Sequence, residues 1–222
     1  MYFSFIGEFM FKQIMVKVRN YYKQFTDKTI HNRNQYNCYV DYLEHQKLKT
    51  TDPKRIEKWL GHEWVVKLEG FKEIFIRNEK YIKGKKKAIC LGARTGQEVK
   101  ALLDLGINAI GIDLVSFPPY TIVGDIHNLS FKNGEFDFAF TNIFDHSLYP
   151  DKFCAEMERV VQKKGIIIMH LQIGIESDEY AETIIYSPDA VIDMFKNVAI
   201  KESRKINNSF DSMNWELVIE VI

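Results

Sequence analysis

Two glycines and one aspartate near the middle of this 222-residue chain have the types and the spacing of a nucleotide site. The apolar run 88–91 ends at Gly92, and a second glycine follows at Gly96. Glycine lets the backbone turn sharply out of a strand, and the next helix offers unpaired N–H groups to an anion. A later apolar run ends at Asp113, and an acidic residue about 20 positions after the first glycine suits the hydroxyls of a ribose. The pattern predicts an adenosine-containing cofactor.

Arg94, between the two glycines, narrows the choice of cofactor. A dinucleotide fingerprint has three glycines spaced G-x-G-x-x-G, and this turn has Arg94 where that pattern has its second glycine. The arginine weakens an interpretation as an NAD site. Two glycines fit a ligand whose anionic part is a single carboxylate, as in S-adenosylmethionine. Taken alone, the spacing is also typical of an ordinary tight turn between a strand and a helix.

The elements that must position these residues are strands alternating with helices. Strands are predicted by apolar runs at residues 88–91, 109–113, 122–126, 136–140 and 165–170, and a helix by the spacing of apolar residues over 150–161. This order predicts an α/β, Rossmann-like doubly wound sheet, mostly parallel and covered on both faces. Ligands of such sheets bind beyond the carboxyl ends of the strands. The residues predicted at those ends are Gly92, Asp113, Asp125 and Asn142.

The regions on either side predict two further parts. At the carboxyl end, runs at 198–203 and 215–221 joined by a polar turn predict an antiparallel hairpin that closes the sheet. Before residue 86, Asp52 and Pro53 form a typical helix start, and apolar spacing predicts N-terminal helices near 53–60 and 64–75. We therefore expect a helical lid region over residues 1–85, packed on a core domain over residues 86–222.

The first 50 residues are less informative. Residues 1–18 place large apolar side chains on one face of a predicted helix, which we expect to pack on the domain or on a partner subunit in a homo-oligomer. Residues 21–49 are polar without a clear period, which fits a lid or an interface loop. Neither a secretory signal nor a transmembrane segment is predicted here.

Five ordered segments of the chain resemble the class I S-adenosylmethionine-dependent methyltransferases, in particular their small-molecule-type group. The segments are residues 89–96, 111–113, 124–126, 136–146 and 158–165. The closing hairpin is also what this family adds to its parallel sheet. The resemblance implies an enzyme that transfers a methyl group from S-adenosylmethionine to a small-molecule acceptor.

The same resemblance assigns the residues that bind the cofactor. It implies that Gly92 and Gly96 line the methionine part, that Asp113 holds the ribose, that Asp125 faces the adenine and that Asn142 lies beside the sulfonium. The complete predicted set is Gly92, Ala93, Arg94, Thr95, Gly96, Asp113, Leu114, Asp125, Ile126 and Asn142.

Two residues depart from the family's pattern. Cys90 stands where an acidic residue is common, and Arg94 stands where the central glycine is usual. Both departures would weaken cofactor binding, so a non-catalytic binding or scaffold protein of the same fold is an alternative. A nicotinamide-dependent oxidoreductase is a further alternative, which Arg94 disfavours.

The candidate catalytic residues follow the fourth predicted strand. Transfer from an activated donor needs mainly alignment and exclusion of water, and it needs a base only when the acceptor holds its proton tightly. Asp145 and His146 are the predicted proton acceptors, with His127 and His170 behind them. The pair could instead shape the pocket. No metal is predicted, because the pair has no third ligand.

Composition excludes other classes of function. Lys and Arg total 30 and Asp and Glu total 30, which gives no net charge and no strong signal for nucleic-acid binding. The basic cluster at residues 83–87 is expected to be a solvated loop. Three scattered cysteines indicate neither a disulfide framework nor a metal site, so a reducing compartment, the cytoplasm, is expected.

Overall fold

The computed structural model describes residues 30–222, so the helix face and subunit contact predicted for residues 1–18 lie outside it. The strands are β1 (Ile30–Asn32), β2 (Lys87–Leu91), β3 (Asn108–Asp113), β4 (Thr121–Val123), β5 (Phe136–Thr141), β6 (Val161–Leu171), β7 (Thr183–Ile185), β8 (Val198–Lys205) and β9 (Trp215–Val221). The helices are α1 (Tyr39–Thr51), α2 (Pro53–Leu60), α3 (His62–Arg77), α4 (Glu79–Ile82), α5 (Gln97–Asp104), α6 (Pro150–Val160) and α7 (Pro188–Ile192). A short 3-10 helix spans Phe144–His146.

One seven-stranded sheet forms the centre of the molecule. Its strand order is β4-β3-β2-β5-β6-β9-β8, and β9 runs antiparallel to both of its neighbours while the other pairs are parallel. Strands β1 and β7 form a separate antiparallel pair. The predicted Rossmann-like sheet with a closing antiparallel hairpin is therefore confirmed.

Two apolar cores cover the two faces of this sheet. Alternate residues of β2 enter different cores: Ile89 packs with Phe153 of α6, whereas Cys90 packs with Phe75 of α3. This alternation follows from the two-residue period of a strand. Because α3 supplies part of one core, the helices before residue 86 complete the sheet's covering.

The local signals at the start of α2 fold as expected. The Asp52 carboxylate caps the helix by accepting a hydrogen bond from the Lys54 N–H at 2.9 Å, and Pro53 occupies the first turn, where its missing N–H costs nothing. Helix α2 ends at Gly61, and α3 follows immediately.

Helix α1 is an element that the sequence did not predict. Its buried residues are Tyr42, Gln46 and Thr50, at intervals of four. Two of the three are polar, so the buried face produces no apolar period that could be recognised.

None of the helices within residues 30–222 combines the length and the apolar character that crossing a bilayer requires.

Candidate active site

Two adjoining cavities lie at the carboxyl ends of the parallel strands. The first contains about 560 Å³ of space outside the protein atoms, part of it open to solvent, and lies between the strand ends and α1, which contributes Tyr42, Leu43, Gln46, Lys49 and Thr50. The second contains about 1150 Å³ of such space and extends toward α2, α3 and the loop before β9. The residues that line both are Lys49, Gly92, Arg94, Ile143 and His146. A ligand bound along these shared residues would extend from one cavity into the other.

The turn after β2 requires its two glycines. Gly92 has a φ of +77°, and a Cβ built on it would lie 2.2 Å from Cγ1 of Ile143. Gly96 has a φ of +89°, and a Cβ there would lie 2.3 Å from Cβ of Tyr120. A side chain at either position would therefore meet both an unfavourable backbone conformation and a steric clash.

Arg94 adopts the left-handed conformation that a glycine would provide. Its φ is +49°, which costs a residue with a Cβ roughly 1–2 kcal/mol. Its N–H donates to Oδ2 of Asp113 at 2.8 Å, and its guanidinium carbon lies 4.6 Å from the centroid of the Trp59 ring. These contacts hold the arginine in the turn, so the departure from the glycine pattern leaves the turn's shape intact.

Asp113 lies at the end of β3 and lines the first cavity together with Leu114. Burial raises the pKa of the Asp113 carboxyl, against the opposing effects of the Arg94 N–H and charge. Oδ1 of Asp113 accepts a long hydrogen bond, 3.5 Å, from the Val115 N–H. This oxygen can therefore accept a further hydrogen bond from a ligand.

Asp125 joins the strand ends to α1. Both of its carboxylate oxygens accept from the Tyr39 hydroxyl, at 2.9 and 2.7 Å, and Oδ1 also accepts from the His127 N–H at 2.8 Å. Burial by itself would raise the pKa of Asp125, but the hydrogen bonds from His127 and Tyr39 outweigh it and lower the pKa to about 2. Asp125 and its neighbour Ile126 line the first cavity as a charged and an apolar wall.

His146 lies at the boundary between the cavities with both ring nitrogens engaged. Nδ1 lies 2.8 Å from the Tyr180 carbonyl oxygen, and Nε2 lies 3.0 Å from Nζ of Lys49. Burial lowers the pKa of the imidazole, so the ring is neutral, with Nδ1–H donating to Tyr180 and Nε2 accepting from Lys49. His146 can accept a proton from a ligand only after Lys49 moves away.

Asp145 lines the second cavity beside His146. The residue is 5% exposed, and its Oδ2 is buried without a hydrogen-bond partner among the described residues. His146 Nε2 is the near neighbour of that oxygen, at 3.8 Å, which is too far for a hydrogen bond. A buried carboxylate oxygen in this state is available to a ligand.

The other predicted residues take different positions around the turn. Asn142 and Thr95 line the second cavity, and the Thr95 hydroxyl donates to Oε1 of Gln97 at 2.8 Å. Ala93 is fully buried, and Gly96 begins α5, so these two shape the turn and line neither cavity.

His127 and His170, the two other histidines considered as proton acceptors, are not available as bases. His127 is completely buried, with Nε2 2.7 Å from the Ser147 hydroxyl, and His170 is buried, with Nε2 2.9 Å from Oε2 of Glu216. Neither lines the first or the second cavity.

Sequence reasoning missed several residues of the site. Tyr39, Lys49, Trp59 and Glu98 carried no motif, and they reach the site through α1, α2 and the first turn of α5. Burial raises the pKa of the Glu98 carboxyl to about 7, although the charges of Arg94 and Lys67 oppose this shift. Within residues 30–222, no group of three or more His, Cys, Asp or Glu side chains could hold a metal ion.

Residues 89–169 match the family model described as a methyltransferase domain. By this similarity the segment is assigned to the methyltransferase domains. The sheet order and the closing antiparallel strands agree with this assignment, and the resemblance recognised in the sequence is confirmed. No curated protein matches the chain.

Several solved structures share the fold of this chain. The 1,6-didemethyltoxoflavin-N1-methyltransferase of Burkholderia thailandensis, solved with 1,6-didemethyltoxoflavin and S-adenosylhomocysteine, is 9% identical, with a TM-score of 0.65 over 86% of this chain and 94% of that one. A SAM-dependent methyltransferase from Archaeoglobus fulgidus is 14% identical, with a TM-score of 0.57 over 77% of this chain and 100% of that one. The [4+2]-cyclase SpnF is 11% identical, with a TM-score of 0.55 over 68% of this chain and 81% of that one. At these identities the structures show a shared fold, and the reaction of this protein must be argued from its own residues.

Proposed function

We propose that this protein transfers a methyl group from S-adenosylmethionine to a small-molecule acceptor. The observation that carries the proposal is the pair of cavities joined along Gly92 and Arg94 at the carboxyl ends of the strands. Joined cavities suit a reaction between two ligands that meet at one point.

The residues of the first cavity fit an adenosine. Leu114, Ile126 and Ile143 offer apolar surface to a purine ring, and Oδ1 of Asp113 is available to a ribose hydroxyl. The methionine part would follow Gly92 and Arg94 into the second cavity, because these residues line both. When bound, S-adenosylmethionine supplies a methyl group activated by a sulfonium.

The residues of the second cavity would hold the acceptor and keep water away from it. Asp145 and Asn142 come from the segment that follows β5, and His146 stands at the junction of the cavities. We assign Asp145 to a hydrogen bond with the acceptor. His146, which is neutral and bound to Lys49, is assigned to positioning Lys49 and the cavity wall.

We assign the described helices before residue 86 to a lid region and the remainder to the core domain. The support is that α1 covers the first cavity, while α3 packs in one core of the sheet. We also place the enzyme in the cytoplasm, because its three cysteines are all free thiols.

A calorimetric titration of S-adenosylmethionine tests the proposal. Replacing Asp113 by alanine removes the ribose acceptor and is expected to weaken binding at least tenfold. Asp193→Ala, an exposed change at the end of α7, is the matched control and should leave affinity unchanged. If Asp113→Ala binds S-adenosylmethionine as tightly as the wild type, the assignment of the first cavity to the adenosine is wrong.

A further inference from the structure

Three residues that line the second cavity each carry an orphaned oxygen, which is a buried side-chain oxygen without a hydrogen-bond partner among the described residues. Among the described residues, the buried side-chain oxygens without a hydrogen-bond partner are Glu63 Oε2, Asp145 Oδ2, Gln172 Oε1 and Asp211 Oδ2. Glu63 has Nζ of Lys67 at 3.1 Å from its orphaned atom, whereas the other three residues line the second cavity. An unsatisfied buried acceptor costs about 1–3 kcal/mol, and native proteins contain few of them. Three around one cavity indicate a ligand that donates hydrogen bonds.

The three residues that carry these oxygens make other hydrogen bonds within the protein. Oδ1 of Asp211 accepts from the Met213 N–H at 3.1 Å, and the Gln172 amide nitrogen donates to the Ser212 hydroxyl. The backbone carbonyl of Asp145 accepts from the Glu182 N–H at 2.7 Å. These bonds hold two of the side chains and the backbone of the third before any ligand arrives.

Packing fixes the loop that carries Asp211. The ring of Phe210 lies against Gly70 of α3, where an added Cβ would be 2.2 Å from Cδ1 of the phenylalanine. The same ring makes an edge contact with Phe71, with centroids 5.2 Å apart. Asp211 is therefore positioned by contacts with the core and not only by its loop.

Two of the cations that line this cavity are already paired with acids. Nζ of Lys49 lies 2.8 Å from Asp178, and Arg55 lies 2.8 Å from Glu179. No cation of the described residues lies within ion-pair distance of Asp211, and only His146, at 3.8 Å, lies so close to Asp145.

We propose that the methyl acceptor is an amine, whose nitrogen and neighbouring donors bind Asp145, Asp211 and Gln172. This inference rests on the proposed methyl transfer. An ammonium group donates three hydrogen bonds and carries a positive charge, whereas a hydroxyl donates one and carries none. The amine therefore matches the number of the acceptors, and its charge is opposite to that of the two carboxylates.

The transfer step on an amine is balanced as follows. The bound ammonium releases one proton to the Asp145 carboxylate and becomes a neutral amine with a free lone pair. That lone pair forms the nitrogen–carbon bond with the methyl group, while the electron pair of the broken carbon–sulfur bond stays on sulfur. The products are the N-methylated ammonium and S-adenosylhomocysteine.

Binding to the protein saturated with S-adenosylhomocysteine tests this inference. The probes are amines and alcohols of the same carbon skeleton, such as phenethylamine with 2-phenylethanol and benzylamine with benzyl alcohol. Each is titrated by calorimetry at one pH and ionic strength. We expect at least one amine to bind tenfold or more tightly than its alcohol, and Asp211→Asn to reduce that ratio at least fivefold.

Asp193→Asn makes the same chemical change at an exposed position away from both cavities and should preserve the ratio. Equal binding of amines and alcohols, no binding of any amine, or an unchanged ratio in Asp211→Asn overturns the inference. S-adenosylhomocysteine is titrated first into every variant. If it binds and the amines do not, only the inference fails; if it does not bind, the proposed function fails.

Discussion

Arg94 shows how a residue outside the family's pattern can preserve the pattern's geometry. Its backbone takes a left-handed conformation with φ of +49°, and its N–H holds Asp113 at the end of the next strand. Its side chain lies on Trp59, which belongs to α2. The arginine thus links the turn to the helical region, a role that glycine could not perform.

Cys90, the second departure, is explained by the packing of β2. The thiol is completely buried in the core shared with α3, where burial raises its pKa well above the usual range. The carboxylate of Glu98 adds to this rise, so Glu98 places a titratable acid near the position where the family has one.

Glu98 gives the protein a pH-dependent stability. Its pKa is about 7 in the folded state, against 4.5 as the reference for an unfolded chain, because burial outweighs the charges of Arg94 and Lys67, while Asp113 adds to the rise. The folded state therefore binds more protons between these values, and the free energy of unfolding falls as the pH rises from 4.5 through 7.

The substitution Glu98→Gln should remove this dependence. Relative to wild type, it should stabilise the protein by roughly 3 kcal/mol more at pH 8 than at pH 4.5, as measured by urea unfolding. Glu73→Gln, an exposed change on α3, is the control. It should change the free energy of unfolding by the same amount at pH 8 and at pH 4.5. If the free energy of unfolding depends on pH in the same way in wild type and in Glu98→Gln, burial does not raise the pKa of the Glu98 carboxyl.

At the scale of elements, α1 closes the first cavity through a small number of polar contacts. Gln46 donates to the Tyr180 carbonyl and to Oε1 of Glu182, both at 2.7 Å, while Tyr39 bonds Asp125 across the cavity mouth. Contacts of this kind open more readily than a large apolar interface. We expect α1 to be the element that admits and releases the cofactor.

Replacing Tyr39 by phenylalanine should loosen α1. The change removes the hydroxyl that bonds the Asp125 carboxylate, and hydrogen bonds to charged groups contribute about 1.5–3 kcal/mol. Amide hydrogen exchange in α1 is expected to accelerate at least tenfold. Tyr81→Phe also removes a hydroxyl bonded to a carboxylate, that of Glu202, and should leave α1 unchanged. Equal exchange in both variants would mean that Tyr39 does not hold the helix.

The elements differ in how far the sequence could predict them. Strand β2 and the turn to α5 were predictable because a buried strand and a glycine turn have local signatures. Helix α1 was not, because Gln46 and Thr50 are buried through partners far along the chain. Asp211 was missed for the same reason: its position depends on Phe210 packing against α3.

At the scale of the whole molecule, Glu216 joins the N-terminal helices to the sheet. This fully buried carboxylate of β9 accepts from Arg77 at 2.9 Å, from Asn78 at 2.9 Å and from Arg204 at 2.9 Å. His170 of β6 lies 2.9 Å from Oε2. Burial by itself would raise the pKa of Glu216, but these partners lower it far below its usual range.

Replacing Glu216 by alanine should therefore destabilise the fold strongly. The change leaves the buried Asn78 and His170 and two partly exposed arginines without their acceptor, which costs about 3–5 kcal/mol in the free energy of unfolding. Glu220 lies on β9, as Glu216 does, and forms an exposed ion pair with Lys201 of β8. Glu220→Ala removes this pair and should cost about 1 kcal/mol or less in the free energy of unfolding. Chemical denaturation compares the two, and similar losses would show that the buried network contributes little.

Titration of S-adenosylmethionine into the wild-type protein tests the central claim most directly. The two joined cavities, with Asp113 in one and the turn at Gly92 between them, predict saturable binding at one site per chain. NAD⁺ titrated under the same conditions should bind far more weakly. Absence of S-adenosylmethionine binding, or tighter binding of NAD⁺, would contradict the assignment of this site to methyl transfer.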